Sequence, residues 1–211
     1  MKLSKIGTPL IYGTRNRAKL DAMRRCVQPF GIAIEGLPPG TNIPPVDESG
    51  SDPLENAQIK ASAFYRVLHR PVFSCDSGLF FDGLPAGEQP GTHVRRVQGR
   101  ELTDNEMIEY YAALAAKHGG RLNARYRNAI CLILDEDHIY RSMEDSLSGE
   151  RFWLIDTPHP QRIAGFPLDS LSIDPNTGKY YFDLPEREER DTGIQSGFVR
   201  FFKQVFQNEK E

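Results

Sequence analysis

Leu10-Ile11-Tyr12-Gly13-Thr14-Arg15-Asn16-Arg17-Ala18-Lys19-Leu20 is the stretch from which the rest of the chain is read. Residues 9–13 are a short apolar run, Thr14-Arg15-Asn16 is a polar turn, and Leu20, Met23 and Val27 then recur at helical spacing. The order is strand, turn, helix. Such a turn points backbone N–H groups at whatever lies beyond the strand. Residues 32–35 read as a second strand and the Pro/Gly-rich residues 37–51 as a loop. Pro53 suits the first turn of a helix running to about His69, with Ala57, Ala61, Phe64 and Leu68 on its buried side.

Residues 72–75 read as a short strand ending in Asp76-Ser77-Gly78, and residues 79–81 as a second extended piece. Residues 83–100, rich in Gly, Pro and Arg, are expected to be a mobile segment. Thr103 with Glu106 makes a capping box for a helix ending near His118-Gly119-Gly120. Residues 126–134 and 139–147 read as two strands around the charged turn Asp135-Glu136-Asp137. Ile194, Phe198, Phe201, Phe202, Val205 and Phe206 form the stripe of an amphipathic helix, read as core or dimer contact rather than a ligand box. Strands and helices alternate, which argues for an α/β domain.

Composition narrows the function. The 211 residues are 39% hydrophobic and 26% charged with a net charge of −3, which suggests neither disorder nor general affinity for a nucleic-acid polymer. The short pairs Arg95-Arg96 and Arg125…Arg127 suit phosphates, carboxylates or a dimer interface better. The longest apolar runs, such as residues 129–134, fall far short of the roughly 20 residues that span a bilayer, and the first residues lack the apolar core of a secretory signal. No membrane partner is expected. Cys26, Cys75 and Cys131 are widely spaced and odd in number, which reads as reduced thiols of a cytoplasmic protein. The five histidines are scattered without the spacing of zinc ligands.

Three segments carry chemistry. In the first turn, Thr14, Asn16 and Lys19 bring a hydroxyl, an amide, helix N-terminal N–H groups and an ammonium together as a phosphate cradle; a helix cap with a solvated lysine is the plainer alternative. Asp47-Glu48-Ser49-Gly50 places carboxylates, the oxygen donors magnesium prefers, where a loop meets a helix, and Asn56 and Lys60 share one face of that helix. A solvated acidic first turn would look the same. Asp76, with Ser77 and Gly78, stands at the carboxyl end of a buried strand, where open α/β sheets place ligands; there it can hold a metal and accept a proton from water. A plain Asp-Ser-Gly turn is the alternative.

Taken in order, Thr14-x-Asn16-x-x-Lys19, Glu48-Ser49-Gly50, Leu54-Glu55-Asn56-Ala57-x-x-Lys60-Ala61 and Asp76-Ser77-Gly78-Leu79 resemble the inosine triphosphate pyrophosphatase family. Those enzymes hydrolyse deaminated purine nucleoside triphosphates to the monophosphate and pyrophosphate. The likeness continues through Pro90-Gly91, Arg96, Gly99 and Ala124-Arg125-Tyr126. It implies a mixed α/β fold over residues 1–211 as a single domain, with an elongated central sheet flanked by helices in two lobes and a cleft between them. It implies Mg2+ as cofactor, Asp76 as metal ligand and general base, Glu48 as the second metal ligand and Lys60 as a catalytic cation. Thr14, Asn16, Lys19, Asn56, Ser77, Arg96, Phe166 and Asp169 would bind a nucleoside triphosphate such as ITP, dITP or XTP, in a homodimer.

The chain departs from that pattern where the base is recognised. The family's Gly-Phe-Gly-Tyr-Asp-Pro is here Gly165-Phe166-Pro167-Leu168-Asp169-Ser170, which keeps Phe166 for stacking and Asp169 but lacks the tyrosine. Its Lys…Ser-His-Arg is here Thr192…Ser196-Gly197-Phe198, without the donors for the purine six-position oxygen. Altered base specificity is expected, with triphosphate chemistry retained. Arg15 replaces a glycine and adds a cation near the phosphates, and Cys75 replaces the first acid of Asp-Asp-Ser-Gly. Two other readings are a non-catalytic nucleotide sensor, which has no need of Asp76, and a pyrophosphatase for another nucleotide. A phosphate-ester hydrolase of unrelated mechanism would need a nucleophile or zinc cluster that the sequence lacks.

Overall fold

Strand β1 (Leu10–Tyr12) is apolar at every position because both faces of the sheet are covered there. Leu10 and Tyr12 point into one core with Met23 and Val27 of helix α1 (Arg17–Val27). Ile11 points the other way, into a second core with Phe64 of helix α2 (Pro53–Leu68). The computed structural model describes residues 9–184 and 193–208. Thr192 lies outside them, as do the side chains of Ile194 and Ser196 and the whole of the N-terminal segment before Pro9.

β1 pairs in parallel with β2 (Ile34–Glu35) and with β3 (Val72–Phe81). The mixed sheet has the order β2-β1-β3-β6-β8-β9, where β6 is Arg121–Ile133, β8 Phe152–Ile155 and β9 Ser172–Ile173; β7 (Ile139–Ser142) pairs antiparallel with β6. Flanked by helices, this is the α/β class expected. Among the described residues, 9–77, 127–148 and 193–208 form one compact unit, and 78–126 with 149–184 form another.

In the first unit, helix α4 (Gly193–Asn208) buries Phe198, Phe201, Phe202, Val205 and Phe206, so its aromatic stripe is core. Phe73 stacks on Tyr12 at 4.5 Å and meets Phe202 edge-on at 5.2 Å. In the second unit, helix α3 (Asp104–Lys117), started by the expected Thr103–Glu106 capping box, buries Met107, Ile108, Tyr111 and Ala115 in a core shared with Phe152 and Leu154. No helix of the described residues is long and apolar enough to cross a membrane, and among the described residues none of the three cysteines forms a disulfide.

Four readings are corrected. β3 runs unbroken through Asp76-Ser77-Gly78, so that tripeptide is not a turn. Gly78 is there for room: a Cβ on it would lie 3.0 Å from Gly91 O, across the paired Leu79–Gly91 hydrogen bonds of 2.8 and 3.0 Å. Residues 83–100 carry a 3-10 turn, Ala86–Glu88, and enter a hairpin of β4 (Arg96–Val97) and β5 (Arg100–Glu101), whose corner residues Gln98 and Gly99 both have positive φ. β6 begins at Arg121, well before residue 126, because small and polar residues still alternate there with buried Leu122 and Ala124. β7 ends at Ser142, and a 3-10 turn, Asp145–Leu147, follows in place of further strand.

Candidate functional site

The turn after β1 is built by its own side chains. Asn16 caps α1 by accepting from Lys19 N at 3.1 Å, and Thr14 Oγ1 accepts from Asn16 N at 3.2 Å. Gly13 lets the turn sit close to the sheet, since a Cβ there would lie 2.5 Å from the Phe64 ring and 2.6 Å from Ser74 Oγ. Arg15 Nη2 donates to Ile43 O at 2.7 Å, which ties the turn to the long loop before α2.

That loop and α2 deliver the second group. Asp52 caps α2 through Glu55 N at 2.9 Å, and Pro53 occupies the first turn. Asn56 and Lys60 therefore face β3 one turn apart. Asn56, only 1% exposed, accepts from Gly50 N at 2.8 Å and donates to Asp76 Oδ2 at 3.2 Å. Lys60 Nζ lies 2.6 Å from Asp76 Oδ1 and 3.3 Å from Glu48 Oε2. A strand, a helix and a loop thus supply two carboxylates that meet at one ammonium, with a partner on each oxygen of Asp76.

The turn, Glu48, Lys60 and Asp76 line one cavity of about 420 Å³, within the range of small-molecule sites, whereas Asn56 does not line it and is joined to it through Asp76. Thr14, Arg15, Asn16 and Lys19 form one side of it, and Glu48, Lys60 and Asp76 another. The rest is apolar: Ile43, Pro44, Pro45 and Val46 of the loop, with Phe64. Sequence reading passed over this wall; its signal is a run of apolar residues inside a Pro-rich loop. Cys75 also lines the cavity. Burial pushes its thiol up to about 12, against the pull of Tyr12 and the nearby lysines, so it stays neutral and the cavity holds two acids rather than three.

Glu48 and Asp76 could hold a hard cation. Both offer carboxylate oxygens within reach of one point, now marked by the Lys60 ammonium. The described residues contain no cluster of three or more His, Cys, Asp or Glu side chains. A magnesium ion fits such a two-carboxylate set, because it commonly takes one or two protein carboxylates and completes its shell with water and phosphate.

The family model of the Ham1 family matches residues 10–192. The chain belongs to the Ham1 family. It is similar to a protein of Methylococcus capsulatus named dITP/XTP pyrophosphatase, 30% identical over 183 residues, covering 85% of this chain and 87% of that one. A Streptococcus thermophilus protein of the same name is 27% identical over 96% of this chain, which spans 61% of that relative's length. Among solved structures, the Ham1 protein of Staphylococcus aureus has a TM-score of 0.70 at 20% identity, covering 97% of this chain and all of that one. A HAM1 protein of Coxiella burnetii has 0.72 at 21%, covering 95% and 98%. At these identities the likeness is one of fold.

The remaining candidates lie elsewhere. Ser77 does not line the cavity; as the next residue of an extended strand it leaves the sheet on the opposite face from Asp76. Arg96, Phe166 and Asp169 belong to the second unit of this Ham1 chain. Arg96 is exposed in β4, and Phe166 is 37% exposed ahead of the 3-10 turn Pro167–Leu171. Asp169 is half-buried in that turn, and its charge adds to the burial that raises the Tyr126 phenol. Leu168, at the place of the pattern's tyrosine, is a core residue.

The missing donors of the last helix have a structural explanation. A Cβ on Gly197, at the place of the pattern's histidine, would lie 1.9 Å from Ser146 O, so α4 touches that backbone directly. Phe198, at the place of the arginine, is 7% exposed in the first core. Both positions serve packing in this protein.

Proposed function

We propose that this Ham1-family protein is a magnesium-dependent nucleoside triphosphate pyrophosphatase that removes non-canonical purine nucleotides such as dITP, XTP and ITP from the nucleotide pool. One observation carries the reading: Asp76, clamped by Lys60 and Asn56 with Glu48 against the same ammonium, shares a cavity with the Thr14–Lys19 turn. The dITP/XTP pyrophosphatase name of its relatives supports the substrate class.

Asp76 and Glu48 would hold the magnesium ion. Bound there, the ion would draw charge from the phosphate oxygens. The turn orients the tail through Thr14, Lys19 and the first N–H groups of α1. Asp76 takes a proton from a water whose oxygen attacks the α-phosphorus; the bond from that phosphorus to the bridging oxygen breaks, and pyrophosphate leaves with the electron pair. Lys60 pairs with Asp76 at 2.6 Å and offsets charge in the cavity. We further place the enzyme in the cytoplasm as a homodimer, a reading supported by its reduced cysteines and its family resemblance; light scattering tests the dimer.

Purified protein with magnesium is expected to release pyrophosphate from at least one member of a panel of inosine, xanthosine and common nucleoside triphosphates. Asp76→Asn should lower that rate at least about 100-fold, the scale of a lost general base, while nucleotide still binds. A panel with no turnover would overturn the reading and leave a nucleotide-binding protein.

A further inference from the structure

The charges in the cavity are not all available to an anion. Lys60 is engaged by Asp76 and Glu48 at 2.6 and 3.3 Å, so those three groups together carry a net negative charge. What remains, among the described residues, is Lys19, which has no ion pair there, and Arg15, whose one hydrogen bond there is to the neutral carbonyl of Ile43 at 2.7 Å. We infer that Arg15 is a ligand of the polyphosphate tail, supplying with Lys19 the uncompensated positive charge of the cavity. The inference rests on the nucleotide reading above for the identity of the anion.

Four features of Arg15 fit this role. It directly precedes Asn16, the cap of α1, so it lines the same cavity as the helix N-terminus, whose N–H groups and dipole favour anions. Ile43 engages one terminal nitrogen and holds the planar group in place, so less side-chain freedom is lost on binding. The remaining donors form the fork that matches two phosphate oxygens at once. The apolar wall of Ile43, Pro44, Pro45 and Val46 offers no side-chain anion on its side of the cavity to neutralise it. A glycine at position 15, as in the pattern this sequence otherwise resembles, offers none of these. The consequence is selection by phosphate number, with Arg15 mattering more for a triphosphate than for a single phosphate.

The experiment is calorimetry of the full-length protein with inorganic tripolyphosphate, pyrophosphate and orthophosphate, using Arg15→Gly, Arg15→Gln and Arg15→Lys. Arg15→Gln keeps an amide donor for Ile43 O and removes only the charge; thermal melting checks that it is folded. Arg15→Gly and Arg15→Gln are expected to weaken tripolyphosphate binding about tenfold or more, orthophosphate binding far less, with Arg15→Lys between. In turnover, KM should rise more than kcat falls. Tripolyphosphate affinity in Arg15→Gln equal to that of the native protein would overturn the inference, and if nucleotides are still hydrolysed the pyrophosphatase reading stands. Arg15-dependent binding without hydrolysis of any nucleoside triphosphate would support the inference and remove the enzymatic reading.

Discussion

Asn56 shows how much of the site depends on one neutral side chain. Its amide oxygen serves the buried Gly50 N–H and its amide nitrogen serves Asp76, so the acidic loop and the strand acid are held in register by a single group. Asn56→Ala would strand the Gly50 N–H and remove one donor from Asp76. A loss of about 1–3 kcal/mol is expected, measured as a shift of the urea midpoint, together with a fall in turnover larger than the stability loss explains. At this scale Asn56, Lys60 and Asp76 were legible as residue types, because carboxylates, amides and ammonium groups in ordered motifs have few other uses together. Their partners were not legible. Lys60 and Asp76 are 16 residues apart, and nothing local says that one ammonium will meet both Asp76 and Glu48.

Glycines control the elements. At Gly197, α4 lies against the Ser146 carbonyl with no space for a Cβ. Gly197→His, which would restore the residue of the related pattern, is therefore expected to unfold or severely destabilise the protein rather than to restore base recognition; circular dichroism melting distinguishes the two outcomes. Gly78→Ala meets Gly91 O and the Phe80 ring at 3.0 and 2.8 Å. It should cost about 1–3 kcal/mol, the scale of overpacking, read as a lowered melting temperature. Gly78 misleads a sequence reading. Gly78 suggested a turn after Asp76, yet its φ is not positive and the strand continues. The Thr103 cap was easier to read, because it accepts a hydrogen bond from the N–H three residues on, an interaction contained within one turn; Asn16 and Asp52 cap α1 and α2 in the same way.

For the molecule as a whole, acid sensitivity follows from surface carboxylates of the second unit. The Gly165 N–H and then Arg95 hold Asp104 below the usual carboxylate range. Thr103 does the same for Glu106 through its N–H and hydroxyl, and Lys117 and His118 do so for Glu88. Each group binds its proton less readily in the folded state, so its contribution is complete above the unfolded value of about 4 and is lost as pH falls through the folded value. Stability should be level in these terms down to about pH 5 and decline below about pH 4. Urea midpoints across that window check it, and Asp104→Asn should flatten the decline.

What the sequence determined by itself is whatever forms within a few residues: the strand-turn-helix start, the Thr103–Glu106 capping box, the apolar stripe of α4 and the ordered motifs that carry the family resemblance. Periodicity, caps and residue chemistry act at short range and are written in consecutive positions. Only the tertiary structure decided that Lys60 is occupied by two acids while Arg15 and Lys19 are not, that the Ile43–Val46 loop walls the cavity, and that Gly197 and Phe198 pack rather than bind. These outcomes depend on distances between elements far apart along the chain, set by how the cores on the two faces of the sheet pack.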